Sequence, residues 1–307
     1  MLLIGNSLEK IDEIKEKSVQ AIVTSPPYWG LRDYNADGQL GEELVPEDFV
    51  RTLTLLFNKS KRVLKDDGTL WLNIGDTYFG AKGGHWEGGN SITNDTTGSN
   101  YRMQRKAPPK HPRLKTKDLT GIPWRVAFAL QADGWYLRQD IIWHKPNPMP
   151  EAVKDRCTKS HEYIFLLTKS AKYFYDADAI KENTDVKGFR GGSKVTFRAG
   201  KEQLRNDKEE FTKDKEWFGR NKRSVWKMNT KPYKEAHFAV FPPELPELCI
   251  KAGSSEGDIV LDPFFGSGTT GWVAQRLGRK WIGIELNEEY IKIAEKRFQQ
   301  QELFVAQ

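Results

Sequence analysis

Cysteine is scarce in this chain of 307 residues, which holds only Cys157 and Cys249. Two thiols cannot build a disulfide framework or a four-thiolate zinc site, so an apolar core must hold the fold and no metal centre is expected. Long hydrophobic runs are missing as well. Nothing approaches the ~20 apolar residues of a spanning helix, and the mean hydropathy is −0.66, so the expected partners do not include a membrane. The opening Met-Leu-Leu-Ile-Gly-Asn is too short an apolar stretch for a signal peptide. The expectation is a reduced, cytoplasmic chain. Hydrophobic residues, at 38%, and aromatics, at 12%, are plentiful enough for a packed core.

Charge is uneven along the chain. The whole carries +6, but residues 186–235 carry +8 and residues 80–117 carry +6, which leaves −8 for the rest. An acidic body with two basic segments favours a polyanionic partner; two solvated loops are the plainer alternative. In the second segment Phe189, Phe197, Phe211, Trp217, Phe218 and Trp226 are interleaved with the basic residues. They could form a small local core or surfaces that meet bases.

Outside those segments strand and helix patterns alternate. Leu2–Ile4, Ala21–Val23 and Thr-Leu-Trp-Leu-Asn-Ile at 69–74 read as strands. Residues 47–65 place Phe49, Val50, Leu53, Leu56, Phe57, Val63 and Leu64 on one helical face. Residues 122–132 read as a helix, 136–144 and the run from His161 as strands, and Lys-Tyr-Phe-Tyr at 172–175 as a shorter strand. After residue 237 a helix ending at Gly253 is followed by strand 258–262, a helix, strand 281–286, and a helix capped by Asn287. This alternation implies an α/β fold, a parallel sheet with helices on both faces.

Two segments carry the chemistry. Val260–Gly271 contains Gly266-Ser267-Gly268-Thr269-Thr270-Gly271 between a strand and a helix. Glycines there admit a ligand close to the backbone, and the helix start offers free N–H groups. Glu285 ends the next strand, where an acid can bind ribose hydroxyls. An adenosine-type ligand is the reading. A nicotinamide dinucleotide is the alternative, and Asp262-Pro263 in the turn speaks against it.

The second segment is Thr24-Ser25-Pro26-Pro27-Tyr28-Trp29, at the end of a strand. Its prolines fix φ and remove two donors. A rigid edge of carbonyl acceptors, a hydroxyl and an aromatic face remains, suited to gripping a planar ring with an NH₂ group. Taken alone, the segment could equally be a plain Pro-Pro turn.

Ser-Pro-Pro-Tyr-Trp-Gly near the start and Asp-Pro-Phe-Phe-Gly-Ser-Gly-Thr-Thr near the end together resemble the S-adenosylmethionine-dependent amino-methyltransferases of DNA, which act on the exocyclic nitrogen of cytosine or adenine. The motif order resembles the circularly permuted beta class. His237–Pro242, Gly283-Ile284-Glu285, Trp143–Pro146 and the strand from His161 resemble further segments of that family. The resemblance implies a doubly wound, mostly parallel, seven-stranded Rossmann-like sheet with basic loop insertions. It implies a catalytic half over 1–184, a target-recognition region over 185–235 and a cofactor half over 236–307. The permutation places Leu2–Ile4 beside strand 281–285 and strand 258–262 beside strand 21–24.

Site residues follow from the same resemblance. Ser25, Pro26, Pro27 and Tyr28 are the catalytic candidates. Asn6, Phe241, Asp262, Pro263, Phe264, Gly266, Ser267, Gly268, Thr269 and Glu285 are the candidates for holding S-adenosylmethionine. Asn6 departs from the family, which usually has Asp after the first strand. An amide oxygen still accepts from the adenine amino group, more weakly than a carboxylate. Asp262 is expected to hold the methionine ammonium; a turn cap is the plainer alternative. Arg190, Lys194, Arg198, Arg220, Lys222 and Arg223 are the candidate contacts to double-stranded DNA. A homodimer and a cognate restriction endonuclease fit the resemblance, but neither can be read from the residues.

Ser25 in the first position resembles the cytosine-N4 form of the motif rather than the Asp or Asn typical of adenine enzymes. Cytosine N4 is therefore the expected target, with adenine N6 as the alternative. Less favoured are an oxidoreductase using a dinucleotide and a non-catalytic DNA binder. Methylation of a ring carbon needs a thiolate nucleophile, and neither Cys157 nor Cys249 has the Pro-Cys context of that chemistry.

Overall fold

A computed structural model describes residues 1–30, 38–80, 111–182, 219–230 and 241–305, with the side chains of the last segment described to residue 299. Arg190, Lys194 and Arg198 lie outside the described residues. So do residues 81–110, most of the segment 185–235, and residues 237–240 of the segment His237–Pro242.

In chain order the elements are β1 (Leu2–Ile4), α1 (Ser7–Lys10), β2 (Val19–Thr24), α2 (Pro46–Val63), β3 (Leu64–Ile74), α3 (Ile122–Ala132), β4 (Tyr136–His144), β5 (His161–Thr168), β6 (Val225–Lys227), α4 (Glu244–Gly253), β7 (Ile259–Asp262), α5 (Thr269–Arg276), β8 (Lys280–Glu285) and α6 (Glu288–Val305). The strands form one sheet in the order β1-β8-β7-β2-β3-β5-β4-β6. Among the described residues only β5 runs against its neighbours; every other pairing is parallel.

Local chemistry explains most of these elements. Pro46 starts α2, where a missing N–H costs nothing. Phe49, Leu53, Leu56, Phe57 and Val63 then return on one face and are fully buried. Pro123 sits in the first turn of α3. At the start of α6 the Asn287 side chain accepts from the Glu289 amide at 2.8 Å, the cap expected there.

Every residue of β2 is buried, because the sheet is covered on both sides. Ile22 faces a layer built from α2 and α3, with Leu53, Leu56, Val126 and Leu130. Its neighbours Ala21 and Val23 face the layer of α4 and α5, with Leu245, Cys249, Ile250 and Val273. Alternation along one strand thus assigns residues to two cores. Complete burial pushes the Cys249 thiol well up, away from the reactive thiolate.

The permuted pairings hold. Leu2 lies opposite Gly283 and Ile4 opposite Glu285, so β1 flanks β8. Ala21 lies opposite Val260 and Ile22 opposite Leu261, so β7 flanks β2. Two expectations fail. Among the described residues the sheet has eight strands rather than seven, the extra one being β6. It lies inside the segment 185–235 and pairs with β4 through Trp143 and Trp226, which bury together. Residues 172–175 are not a strand. Their aromatic alternation serves packing instead: Tyr173 lies against the α4 side core and Tyr175 stacks on Trp71 at 6.3 Å. No helix among the described residues is long and apolar enough to cross a membrane.

Candidate active site

Parallel strands bring both motifs to one edge of the sheet. The segment from Ser25 leaves β2 at its carboxyl end, and the segment from Pro263 leaves the adjacent β7 at the same edge, next to the end of β8. Ligands of open α/β sheets bind at such an edge.

Asp262 ties the two motifs together. Its Oδ1 accepts from Thr24 Oγ1 at 2.6 Å and from the Phe264 amide at 3.0 Å. Its Oδ2 accepts from Thr270 Oγ1 at 2.7 Å. Complete burial pushes its carboxyl up to about 7, against the pull of these three donors, and the nearby Glu285 adds to the rise. Thr24 immediately precedes Ser25, so this carboxyl braces the start of the Ser-Pro-Pro-Tyr segment. The bond from the Phe264 amide is the turn cap that was the plainer alternative for Asp262.

Glu285 closes the glycine loop from β8. Its Oε2 accepts from the Gly266 amide at 2.6 Å and its Oε1 from the Asn287 amide at 2.8 Å. Burial pushes this acid up as well, opposed by those backbone donors. The Gly5 amide donates to the Glu285 carbonyl at 2.9 Å, which sets Asn6 beside it. Asn6 Oδ1 accepts from the Leu8 amide at 2.9 Å and so caps α1. One lone pair of that oxygen is already used.

The glycines divide their work. Gly266 has a φ of +51°, and a Cβ there would meet nothing nearer than 4.0 Å, so its surroundings are open. Gly271 is different: a Cβ would lie 2.7 Å from the Phe265 ring, and one on Gly283 would also collide with that ring. Phe265 stacks on Trp281 at 5.0 Å and on Phe298 at 6.2 Å. Gly271 and Gly283 therefore make room for an aromatic stack rather than for a ligand, which corrects the reading of the whole glycine pattern as a ligand cradle.

These residues suit a cationic, adenosine-bearing cofactor. Two desolvated carboxyl groups at one edge are stabilised in their charged form by a positive ligand. Ser267 Oγ is buried with no hydrogen-bond partner among the described residues, as a group waiting for a ligand would be. Pro263 is buried and Phe264 is half-buried against the α2 side core. Phe241 packs on the other core, and the Thr269 hydroxyl accepts from Arg297 at 2.9 Å.

Around the catalytic candidates, Pro26 is buried and Ser25, Pro27 and Tyr28 are half-buried. Trp29 is core: its Nε1 donates to the Glu43 carbonyl at 2.8 Å. The Tyr28 ring lies against Gly75 just past β3, where a Cβ would come within 2.5 Å of it. The Tyr28 hydroxyl donates to Glu162 Oε2 at 2.6 Å. Glu162 also accepts from Asn73 Nδ2 at 3.2 Å and pairs with Lys145. Lys159 donates to the Asp76 carbonyl at 2.9 Å; burial pushes its ammonium down, with Asp76 and Glu162 opposing. Glu162 and Asn73 escaped the sequence reading. The one available signal was an acid near the start of the otherwise apolar run of β5.

Arg220, Lys222 and Arg223 gather on Glu182, a partner the sequence did not reveal. Arg220 Nε lies 3.1 Å, Arg223 Nε 2.9 Å and Lys222 Nζ 3.7 Å from its carboxylate. Burial pushes Glu182 up, but hydrogen bonds from Arg223 and Arg220 prevail and hold it at about 2. Backbone bonds between Glu182 and Arg220, each 2.9 Å, join the two ends of the intervening chain. These cations are thus engaged within the protein before any phosphate arrives.

Comparison with known proteins agrees with this geometry. A family model described as DNA methylase, for N6 and N4 enzymes, matches residues 19–296. The chain is 48% identical over 298 residues to the Type II methyltransferase M.Cfr9I of Citrobacter freundii, covering 97% of this chain and 87% of that protein. It is 47% identical over 297 residues to the Type II methyltransferase M.SmaI of Serratia marcescens, covering 96% and 89%. Among solved structures, the PvuII DNA methyltransferase (cytosine-N4-specific) superposes with a TM-score of 0.63 at 20% identity, covering 97% of this chain and 85% of that one. A putative DNA modification methylase of Thermus thermophilus, complexed with S-adenosyl-L-methionine, gives 0.57 at 23% identity, covering 97% and 94%.

Proposed function

The chain belongs to the N6/N4 family of DNA methylases, and from that premise we propose that it methylates the N4 amino nitrogen of cytosine at a specific site in double-stranded DNA. S-adenosylmethionine is the methyl donor. The observation that carries the reading is the position of Ser25-Pro26-Pro27-Tyr28. It leaves the central strand β2 at the edge where Asp262, Gly266 and Glu285 converge. The Ser in first place, and the likeness to a cytosine-N4-specific enzyme, support cytosine over adenine.

The reacting amine is a weak nucleophile because its lone pair is delocalised into the ring. The Ser25 hydroxyl and the Pro26 carbonyl accept its two hydrogens and draw the nitrogen towards tetrahedral geometry. Pro26 and Pro27 add no N–H to that edge, so their backbone contributes acceptors only. Tyr28 stacks on the base, which must leave the duplex to be reached. The donor, when bound, supplies a sulfonium methyl already activated for transfer. Glu285 would take its ribose hydroxyls, Asn6 its adenine amino group, and Asp262 its ammonium. Positioning supplies most of the rate. The methylated nitrogen is acidic and sheds its extra proton late, so no strong general base is needed.

The test is mass spectrometry of nucleosides from plasmid DNA methylated in vitro. N4-methylcytosine is the expected product. N6-methyladenine alone would show that Ser25 does not set the base, and no methylated nucleoside at all would refute the reading.

A further inference from the structure

We propose that Glu162 is a positioning residue for methyl transfer: its carboxylate, held by Lys145 and Asn73, fixes the ring of Tyr28 in the attitude that receives the target base. The inference rests on the amino-methyltransferase reading above and adds a residue to it.

The argument starts from what Tyr28 needs. A side chain that only stacks on a base needs an aromatic face and no hydroxyl. Yet the Tyr28 hydroxyl donates to Glu162 Oε2 at 2.6 Å, a short bond from a neutral donor to a carboxylate. One side of the same ring lies against the backbone at Gly75, where a Cβ would come within 2.5 Å of it. The ring is thus held at one side and at its tip. Those two restraints remove rotation about both side-chain torsions, the freedom an ordered stacking platform must give up.

Glu162 is itself held. It sits near the start of β5, whose reversed direction brings that end to the carboxyl edge of β3. Its carboxylate receives three donors: the Tyr28 phenol, the Asn73 amide and the Lys145 ammonium. The side chains of Glu162 and Lys145 are only 13% and 18% exposed. An ion pair this buried is a poor stabilising device unless its remaining lone pairs are satisfied, and here they are spent on the aromatic residue of the catalytic segment. Lys145 also lies 4.2 Å from the centre of the Trp143 ring, which restricts the cation in turn. Trp143 and Glu162 are paired across β4 and β5 and Asn73 lies on β3, so the groups that hold the Tyr28 hydroxyl are anchored by strands of the sheet.

The test compares wild type, Glu162→Gln, Glu162→Ala, Tyr28→Phe and the double variant Tyr28→Phe/Glu162→Ala in steady-state methylation of plasmid DNA. Cofactor affinity by calorimetry and Tm are measured beside it. Glu162→Ala and Tyr28→Phe should each lower kcat roughly 10-fold or more, as small misplacements at a reacting centre do. Cofactor Kd should stay unchanged. Glu162→Gln keeps an acceptor for the phenol and should restore most of the loss. The double variant should be no slower than the slower single one, because both remove the same bond. Wild-type kcat in Glu162→Ala, or full additivity in the double variant, would overturn the proposal. If Glu162→Ala does not fold, Tyr28→Phe still decides, since it deletes only the hydroxyl; wild-type kcat there also overturns it. A wild-type protein that transfers no methyl to DNA overturns the parent reading first, and this proposal with it.

Discussion

Replacing Asp262 by Asn removes one ionisation from the centre of the molecule and leaves its shape nearly unchanged. The group is fully buried, and its pKa is raised from 3.8 to about 7. A carboxyl raised in the folded state binds its proton more tightly folded than unfolded. Its contribution to stability is therefore fully present below about pH 4 and is lost as pH rises to about 7. The shift of some three units corresponds to about 4 kcal/mol at most. The Asn variant does not titrate, and Thr24 and Thr270 can turn their hydroxyls to suit an amide. In the cofactor-free protein the variant should gain on wild type by about 1.4 kcal/mol per pH unit between pH 4 and 7, and then level off. Urea unfolding at intervals from pH 5 to 8 measures the difference, and other titrating groups cancel between the two proteins. A difference that stays constant across that range would refute the burial argument and show Asp262 charged throughout. The same variant should bind S-adenosylmethionine more weakly at pH 8, where wild type offers a full negative charge.

Ser25→Ala should retain DNA and cofactor binding yet lose most turnover, since the hydroxyl acts on the reacting group; single-turnover kinetics with wild-type rates would remove Ser25 from the chemistry. Glu285→Gln turns one acceptor into a donor facing a backbone N–H, so cofactor affinity by calorimetry should fall about tenfold or more; an unchanged Kd would place the ribose elsewhere. Changing Arg190, Lys194 and Arg198 together to Gln should weaken DNA binding and reduce its salt slope by ~0.9 for each phosphate no longer neutralised; an identical slope would give the segment another task. Gly283→Ala drives a methyl into the Phe265 ring and should destabilise the protein by about 1–3 kcal/mol in urea; a neutral result would mean the stack of Phe265, Trp281 and Phe298 is loosely held.

Local pattern was enough for much of this protein. Runs such as Val19–Thr24 and Ile259–Asp262, and the helical face of Phe49, Leu53, Leu56 and Phe57, announce their elements because period and burial are written in neighbouring residues. The order of the two motifs also contained the permuted pairings of β1 with β8 and β7 with β2. Tertiary structure alone decided what depends on residues far apart. β6 has three residues and exists because β4 offers it an edge, which no local period records. Gly271 and Gly283 owe their absence of a side chain to Phe265, and a glycine pattern reads the same whether a ring or a ligand fills the space. Asp262 meets Thr24 across 238 positions, and Tyr28 meets Glu162 across 134. Such pairs are set by the register of packed strands, and the free energy of a buried carboxyl depends on those distant donors. The sequence therefore put forward the candidate groups, and the fold decided which other groups hold them in place.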